Sequence, residues 1–321
     1  SAQRRMATLG TRIRLVRHRE FAAACRQDEQ LFHVDVEDMI DPGQRKRLRD
    51  DIVNGPAYRL AHEDAEFLSR GDLRPLRMQL ELLKPEHALR QHGIGSTVVV
   101  FGSARIVSPE QASTHPTSAE IGAGHGDPDQ RQATPDVASR LQAAHAGYYE
   151  QARHFAQLIS RRFQCERRRD FVVVTGGGPG IMEAANRGAF EAGARSIGLN
   201  ITLPHEQAPN PFITPELAFR FRYFALRKMH FLLRARALVA FPGGYGTLDE
   251  LFEVLVLVQT GKIPRMPIVL VGSVFWRRAC DVEFLVEQGM LDDDDAQLIS
   301  IVESAEQAVA DINANGGVNG E

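Results

Sequence analysis

Ala237-Leu238-Val239-Ala240-Phe241-Pro242-Gly243-Gly244-Tyr245-Gly246-Thr247-Leu248-Asp249-Glu250 is the stretch that decides the fold. A short continuous apolar run feeds a turn with three glycines, and a helical pattern follows from Thr247 to about Val258. Strand, glycine turn and helix in that order form half of a parallel β/α unit. Five further β-branched or apolar runs stand around it: Thr97–Phe101, Phe171–Val174, Ser196–Asn200, Pro267–Val271 and, more weakly, Leu298–Ile301. Each is separated from the next by a helical segment. Strands that are apolar throughout, rather than alternating, belong to a parallel sheet covered on both faces. Right-handed crossovers then give a doubly wound α/β domain, whose ligands bind at the carboxyl ends of the strands.

Two more glycine loops fall at such ends. Phe101-Gly102-Ser103-Ala104-Arg105 follows the first strand, where small residues let a ligand approach the backbone. Thr175-Gly176-Gly177-Gly178-Pro179-Gly180-Ile181-Met182-Glu183 follows the second. Pro179 suits the first position of a helix, whose free N–H groups and positive dipole end attract an anion. The loop lacks the Gly-Lys-Ser/Thr ending of a nucleoside-triphosphate loop and does not follow a first strand as G-x-G-x-x-G would. It serves either as a phosphate contact or as a tight turn for close helix–sheet packing.

In the third loop Thr247 suits an N-cap and Glu250 stands three residues on, the spacing of a capping box. Gly243, Gly244 and Gly246 exceed what capping requires and can turn several N–H groups toward one phosphate. A carboxylate one turn beyond could reach the sugar of the same nucleotide. Between the second and third loops, Phe219–Arg236 reads as one helix. On it Arg220, Arg227 and Arg234 recur every seven residues and share a face with Tyr223 and His230, as a solvated stripe or an anion-facing one.

The chain has 321 residues, 43% hydrophobic and 25% charged, with a net charge of -3. That is globular composition and gives no general case for attraction to nucleic acid or membrane. No apolar run approaches the ~18–20 residues of a membrane span. No apolar stretch follows Ser1–Met6, which predicts no secretory leader. Cys25, Cys165 and Cys280 are too scattered for a disulfide framework, so a cytoplasmic setting is expected.

Residues 1–95 are polar and Arg-rich, with helices expected over Ala57–Phe67 and Leu73–Leu83 and a break at Arg70-Gly71-Asp72. They read as a helical extension to a catalytic domain over 96–321. Residues 109–138 read as an exposed, flexible insertion. Their His115, His125, Asp127 and Asp129 lack the spacing of a known metal site, so no metal is expected. Asp292–Asp295 reads as a solvated turn.

The motifs Thr175–Asn186, Arg227-Lys228 and Pro242–Glu250 resemble the "lonely guy" (LOG) family, over about Ser96 to Pro267. Its members are phosphoribohydrolases that release a base from a nucleoside 5′-monophosphate, notably cytokinin ribotides and AMP. The resemblance implies a Rossmann-like fold, a homodimer or higher even homo-oligomer, and no redox cofactor. It implies that Arg227 and Glu250 are the catalytic pair, and that Lys228 with Gly243, Gly244, Tyr245, Gly246 and Thr247 binds the nucleotide. Gly102, Ser103, Gly177, Gly178 and Met182 complete the expected binding set. Leu203-Pro204-His205-Glu206 resembles a ligand-contacting segment, through Glu206.

Proteins of this family are often labelled lysine decarboxylases. The chain has four lysines, Lys46, Lys84, Lys228 and Lys262, and no recognisable pyridoxal-phosphate pattern. Cleavage of an N-glycosidic bond passes through an oxocarbenium-like sugar, which a carboxylate stabilises while it orients water. Glu250 takes that role, with Arg227 fixing substrate and balancing charge on the leaving side. The alternative is a non-catalytic nucleotide or molybdenum-cofactor carrier on a related scaffold, which would not need Arg227 and Glu250 together.

Overall fold

The computed structural model of the chain describes residues 41–110, 135–164, 169–202 and 208–315. Backbone contacts divide the chain into two compact units, Ser1–Gly71 and Asp72–Glu321.

The described part of the first unit begins with α1 (Pro42–Val53), capped by the Asp41 carboxylate, which accepts from the N–H groups of Gly43 at 2.7 Å and Gln44 at 3.2 Å. The helix expected over Ala57–Phe67 is not continuous. A 3-10 turn covers Pro56–Tyr58, and α2 (Ala65–Ser69) starts afresh because the Asp64 side chain accepts from Phe67 N.

The second unit opens with α3 (Arg74–Gln91), which runs on past Leu83 through an internal Pro85. This helix, grouped with the extension on sequence, therefore lies within the unit that holds the sheet. The strands are β1 (Thr97–Phe101), β2 (Val172–Thr175), β3 (Ser196–Ile201), β4 (Ala218–Phe221), β5 (Ala235–Ala240), β6 (Ile268–Val271) and β7 (Ser300–Val302). All pair in parallel, in the order β4-β3-β2-β1-β5-β6-β7. Interleaved with them are α4 (Pro135–Phe163), α5 (Ile181–Glu191), α6 (Phe224–Leu232), α7 (Tyr245–Gln259), α8 (Ser273–Ala279) and, at the end, α11 (Ala305–Asn315). The short helices α9 (Val282–Glu287) and α10 (Asp293–Ala296) lie between α8 and β7. In α10 the Asp292–Asp295 run is an exposed capping box.

Strand pleating explains the apolar runs. Val98 and Val100 point into one core with Phe155, Ile159 and Ala185 of α4 and α5. Val99 and Phe101 point into the other with Phe231, Leu251 and Trp276 of α6, α7 and α8. Alternate residues serve opposite faces, so every position of β1 is buried. The seven-stranded parallel sheet with helices on both faces is the doubly wound, Rossmann-like architecture expected.

A further expectation fails. Phe219–Arg236 is not a helix: β4, a two-residue break, α6 and β5 share it. Arg220 lies on a strand, Arg227 on α6 and Arg234 beyond its end, so the seven-residue recurrence builds no common face. Residues 111–134, most of the stretch read as an insertion, lie outside the described residues, while Pro135–Ala138 form the start of α4.

Candidate active site

Strand order reverses between β1 and β5, and their carboxyl ends are adjacent: Phe101 pairs with Ala240, and Ser103 N donates to Pro242 O at 3.0 Å. That reversal is where doubly wound sheets bind ligands. A cavity of about 670 Å3 opens there.

The second glycine loop is held by its neighbours. Gly177 adopts φ +72°, and a Cβ on it would overlap the Asn200 carboxamide. Its carbonyl accepts from Asn210 N at 2.9 Å and from Asn200 Nδ2 at 3.2 Å, and the Gly178 carbonyl accepts from Asn210 Nδ2 at 3.0 Å. Behind them the buried Asn186 carboxamide oxygen accepts from Thr175 Oγ1 at 2.7 Å and Asn210 Nδ2 at 3.0 Å. Gly180, at φ +71°, lets α5 begin against the first loop, where Ile181 N donates to Ser103 O at 3.1 Å. Gly177 and Gly178 thus serve loop geometry and do not line the cavity. Gly176 and Met182 of the same loop do.

The third loop delivers α7 to the cavity. Its N-cap is Gly244 and no side chain caps it. Thr247 is the third helical residue and packs against Gly243, which keeps Gly243 out of the lining. Glu250 lies beyond the first turn, so the expected Thr247–Glu250 capping box does not form. Gly244 and Gly246 face open space, and Tyr245 between them is 93% exposed. The first N–H groups of α7 are left by helix geometry without intrahelical partners and point at the cavity mouth.

Glu250 is 5% exposed. Its Oε1 accepts from Arg227 Nη2 at 3.0 Å, and both line the cavity. The Arg227 guanidinium lies 5.1 Å from the Phe224 ring centroid and 5.6 Å from that of Phe231. Its Nε is buried and makes no hydrogen bond among the described residues. Burial pushes the Glu250 carboxyl above the usual carboxylate range, against the pull of Arg227 and Lys228. Burial likewise lowers the guanidinium of Arg227, against the pull of Glu250. In an ion pair held so dry each charge acts strongly on whatever enters beside it.

Of the residues singled out in the sequence, Gly102, Ser103, Met182, Arg227, Gly244, Tyr245, Gly246, Thr247 and Glu250 line this one cavity. Lys228 does not join them. Its Nζ lies 2.8 Å from Asp249 Oδ2 and 3.1 Å from Glu253 Oε2, on the flank of α7. Glu206 lies outside the described residues, as do His115, His125, Asp127 and Asp129. Among the described residues no group of three His, Cys, Asp or Glu could hold a metal ion, and no helix is long and apolar enough to cross a membrane.

Sequence reading missed Arg105 and Phe231 in the lining. Arg105 was within reach of it, two residues beyond Ser103, whose Oγ accepts from the Arg105 N–H at 3.1 Å. Phe231 gave no signal, since an aromatic on a helix reads as core.

The family described as "Possible lysine decarboxylase" matches residues 182–312. The cytokinin riboside 5′-monophosphate phosphoribohydrolase LOG1 of Arabidopsis thaliana is 31% identical over 158 residues, 48% of this chain and 68% of that protein. LOG7 of the same plant is 36% identical over 110 residues, 33% of this chain and 48% of that protein. The chain thus spans about half the length of one and about two thirds of the other. A solved structure of the Moco carrier protein from Chlamydomonas reinhardtii aligns with 68% of this chain and 96% of its own, at a TM-score of 0.39 and 18% identity.

Proposed function

Because this chain belongs to the LOG family, we propose that it hydrolyses the N-glycosidic bond of a nucleoside 5′-monophosphate, AMP or a cytokinin ribotide, to free base and ribose 5-phosphate. The buried Arg227–Glu250 pair in the strand-end cavity carries this reading. A carrier gains nothing from holding a carboxylate and a guanidinium together in a dry site, where both are costly to bury. A reaction that develops positive charge on a sugar ring does.

The 5′-phosphate sits at the start of α7, on the N–H groups around Gly244 to Thr247, where the helix dipole favours an anion. Arg105, across the same cavity mouth, adds a cation. With the phosphate anchored there, the ribose reaches inward to Glu250. Water adds to C1′ as the C1′–N bond breaks. The Glu250 carboxylate steadies the oxocarbenium-like ring and accepts a proton from the attacking water, and that proton passes on to the nitrogen of the departing base, which leaves Glu250 ionised again. Arg227 keeps Glu250 ionised against its burial.

We place the reaction in the cytoplasm, without a redox cofactor, and in a homodimer. The stretch Leu251–Val258 fits the last point. Leu251, Val254 and Val258 are buried in the core, while Phe252 and Val256 stay exposed, as do Met229 of α6 and Leu233 at its C-cap. Light scattering at micromolar concentration should return twice the chain mass, and a monomer would remove the dimer from the reading.

The functional test is incubation with a panel of nucleoside monophosphates and the matching nucleosides, measuring free base and ribose 5-phosphate. Base release from AMP far above that from adenosine is expected. Equal kcat/KM for the two would reject the phosphate anchor, and binding of AMP without turnover would favour the carrier.

A further inference from the structure

Arg227 is aimed by a helix that starts without a cap of its own. Tyr223, the N-cap residue of α6, offers no side-chain hydrogen bond to the helix. The two backbone N–H groups that lead into it are held from α3. Glu81 Oε1 accepts from Arg222 N at 3.0 Å and Glu81 Oε2 from Tyr223 N at 3.2 Å. The Tyr223 carbonyl in turn accepts from Arg227 N at 3.2 Å. One carboxylate therefore fixes the turn from which the Arg227 side chain departs.

The backbone of Glu81 grips the same helix lower down. Pro85 has no N–H, so the Glu81 carbonyl four residues earlier has no helical bond to accept. His230 Nε2 lies 3.2 Å from that oxygen and, facing a carbonyl, carries the proton. Burial lowers the His230 pKa, which keeps the ring neutral in this contact. Beyond the end of α6, both guanidinium nitrogens of Arg234 reach the Glu86 carboxylate, forming a fork. Arg77 Nε donates to Tyr223 Oη at 3.3 Å. Around α3, Arg77 and Glu81 stand on one flank and Glu86 on the other of the apolar stripe that Met78, Leu82 and Leu89 turn toward the core. Helix α3 is thus a splint along α6, and it lies outside the segment, 182–312, that the family match covers.

We propose that Glu81 is a positioning residue for Arg227: by holding the N–H groups of Arg222 and Tyr223 it sets where the guanidinium meets Glu250. This rests on the reading that Arg227 and Glu250 form the reacting pair. The consequence concerns Glu250 directly. Its carboxyl is faced by Arg227 and Lys228 from α6 and by Asp249 and Glu253 on its own helix. Arg227 is the strongest of the pulls that keep it ionised. Loosening Arg227 must therefore raise the pH at which Glu250 titrates.

The test is carbon-13 NMR of the full chain labelled at glutamate carboxyls, with the Glu250 signal assigned by its absence in E250Q. It is run beside steady-state base release from AMP. In E81A the Glu250 signal should titrate at higher pH than in wild type. Turnover should fall ~10-fold or more from misaligned reacting groups, with KM changed by no more than about twofold. E81Q keeps the side-chain shape and one acceptor, and should fall between the two; where E81A does not fold, E81Q decides by the same readings. M78A trims a contact of α3 with the core without touching the clamp. It should lower thermal stability and leave the titration in place.

An unmoved Glu250 titration with wild-type turnover in E81A overturns the proposal, as does an equal shift in M78A. Absence of base release from every monophosphate in wild type, with the Glu250 shift still present in E81A, rejects the functional reading and leaves the positioning role standing.

Discussion

Replacing Glu250 by Gln tests the mechanism at its centre. The side chain keeps its size, and its carbonyl oxygen can still accept from Arg227 Nη2, the 3.0 Å bond of the wild type. What disappears is one negative charge at a site 5% exposed. Leaving a buried cation unpaired costs ~3–5 kcal/mol in general. Here the cost is smaller. Two rings flank the guanidinium, the hydrogen bond survives, and the carboxylate no longer has to be kept ionised in a dry place. A loss of ~1–2 kcal/mol, a few degrees in melting temperature, follows. Turnover should suffer far more. A carboxylate against a developing oxocarbenium ion, in a site that excludes water, contributes ~4 kcal/mol or more, so kcat falls ~1,000-fold. AMP binding should persist, because the start of α7 and Arg105 are untouched. The assay is single-turnover release of base with equilibrium binding of AMP measured alongside. A Glu250→Gln protein that keeps half of wild-type kcat would refute the mechanism and shift the weight to a carrier.

The raised Glu250 pKa predicts that kcat/KM falls on acidification at a pH above the ordinary carboxylate value of about 4.3. A pH–rate profile with its acid limb at or below that value would contradict it. In stability the sign is reversed. A carboxyl raised by folding binds its proton more readily in the native state, so its unfavourable contribution is present above the folded pKa and fades as pH falls, and protonating Glu250 does not drive acid unfolding. Lys228→Met should leave KM for AMP unchanged, since its ammonium is engaged by Asp249 and Glu253. The stability loss should stay below ~1 kcal/mol, as expected for pairs with exposed partners, and a tenfold rise in KM would restore Lys228 to the substrate. Arg105→Gln should raise KM for AMP by ~3–10-fold with kcat little changed, the share of one exposed charged contact to phosphate. Gly177→Ala should unfold the second loop locally, because it combines a positive φ with overlap on Asn200, and thermal melting would register it.

The central sheet was legible because burial on both faces keeps charge out of β1, β2, β6 and the last four residues of β5, and such runs admit few other readings. The edges were not. β4 pairs on one side only, and its residues alternate between exposed and buried, so Ala218-Phe219-Arg220-Phe221 carries charge where a central strand would not. Four residues of alternation are a weak signal beside three arginines spaced by seven, and the helix reading took them all. β7 is the opposite edge, and there too the expected strand, Leu298–Ile301, sits off the observed Ser300–Val302. The distinction between Arg227 and Lys228 was also hidden. Neighbours on a helix point about 100° apart, so only one of two adjacent cations can face a given cavity. Which one does so depends on where α7 crosses α6.

Thr247 and Glu250 show what kind of fact a spacing leaves undecided. Three residues separate a capping pair, and the same three separate a hydroxyl and a carboxylate that simply occupy one helix face. The outcome turned on where the helix starts. Had α7 begun after Thr247, Glu250 would sit in the first turn with its carboxylate spent on a backbone N–H. It begins at Tyr245, and Gly243, which has no Cβ to strike the Thr247 side chain, lets the first turn pack back on the loop. That earlier start carries Glu250 past the capping positions and into the reach of Arg227. On the proposed mechanism, the same helix start that leaves Gly244 and Gly246 at the cavity mouth for a phosphate also frees the carboxylate for the sugar.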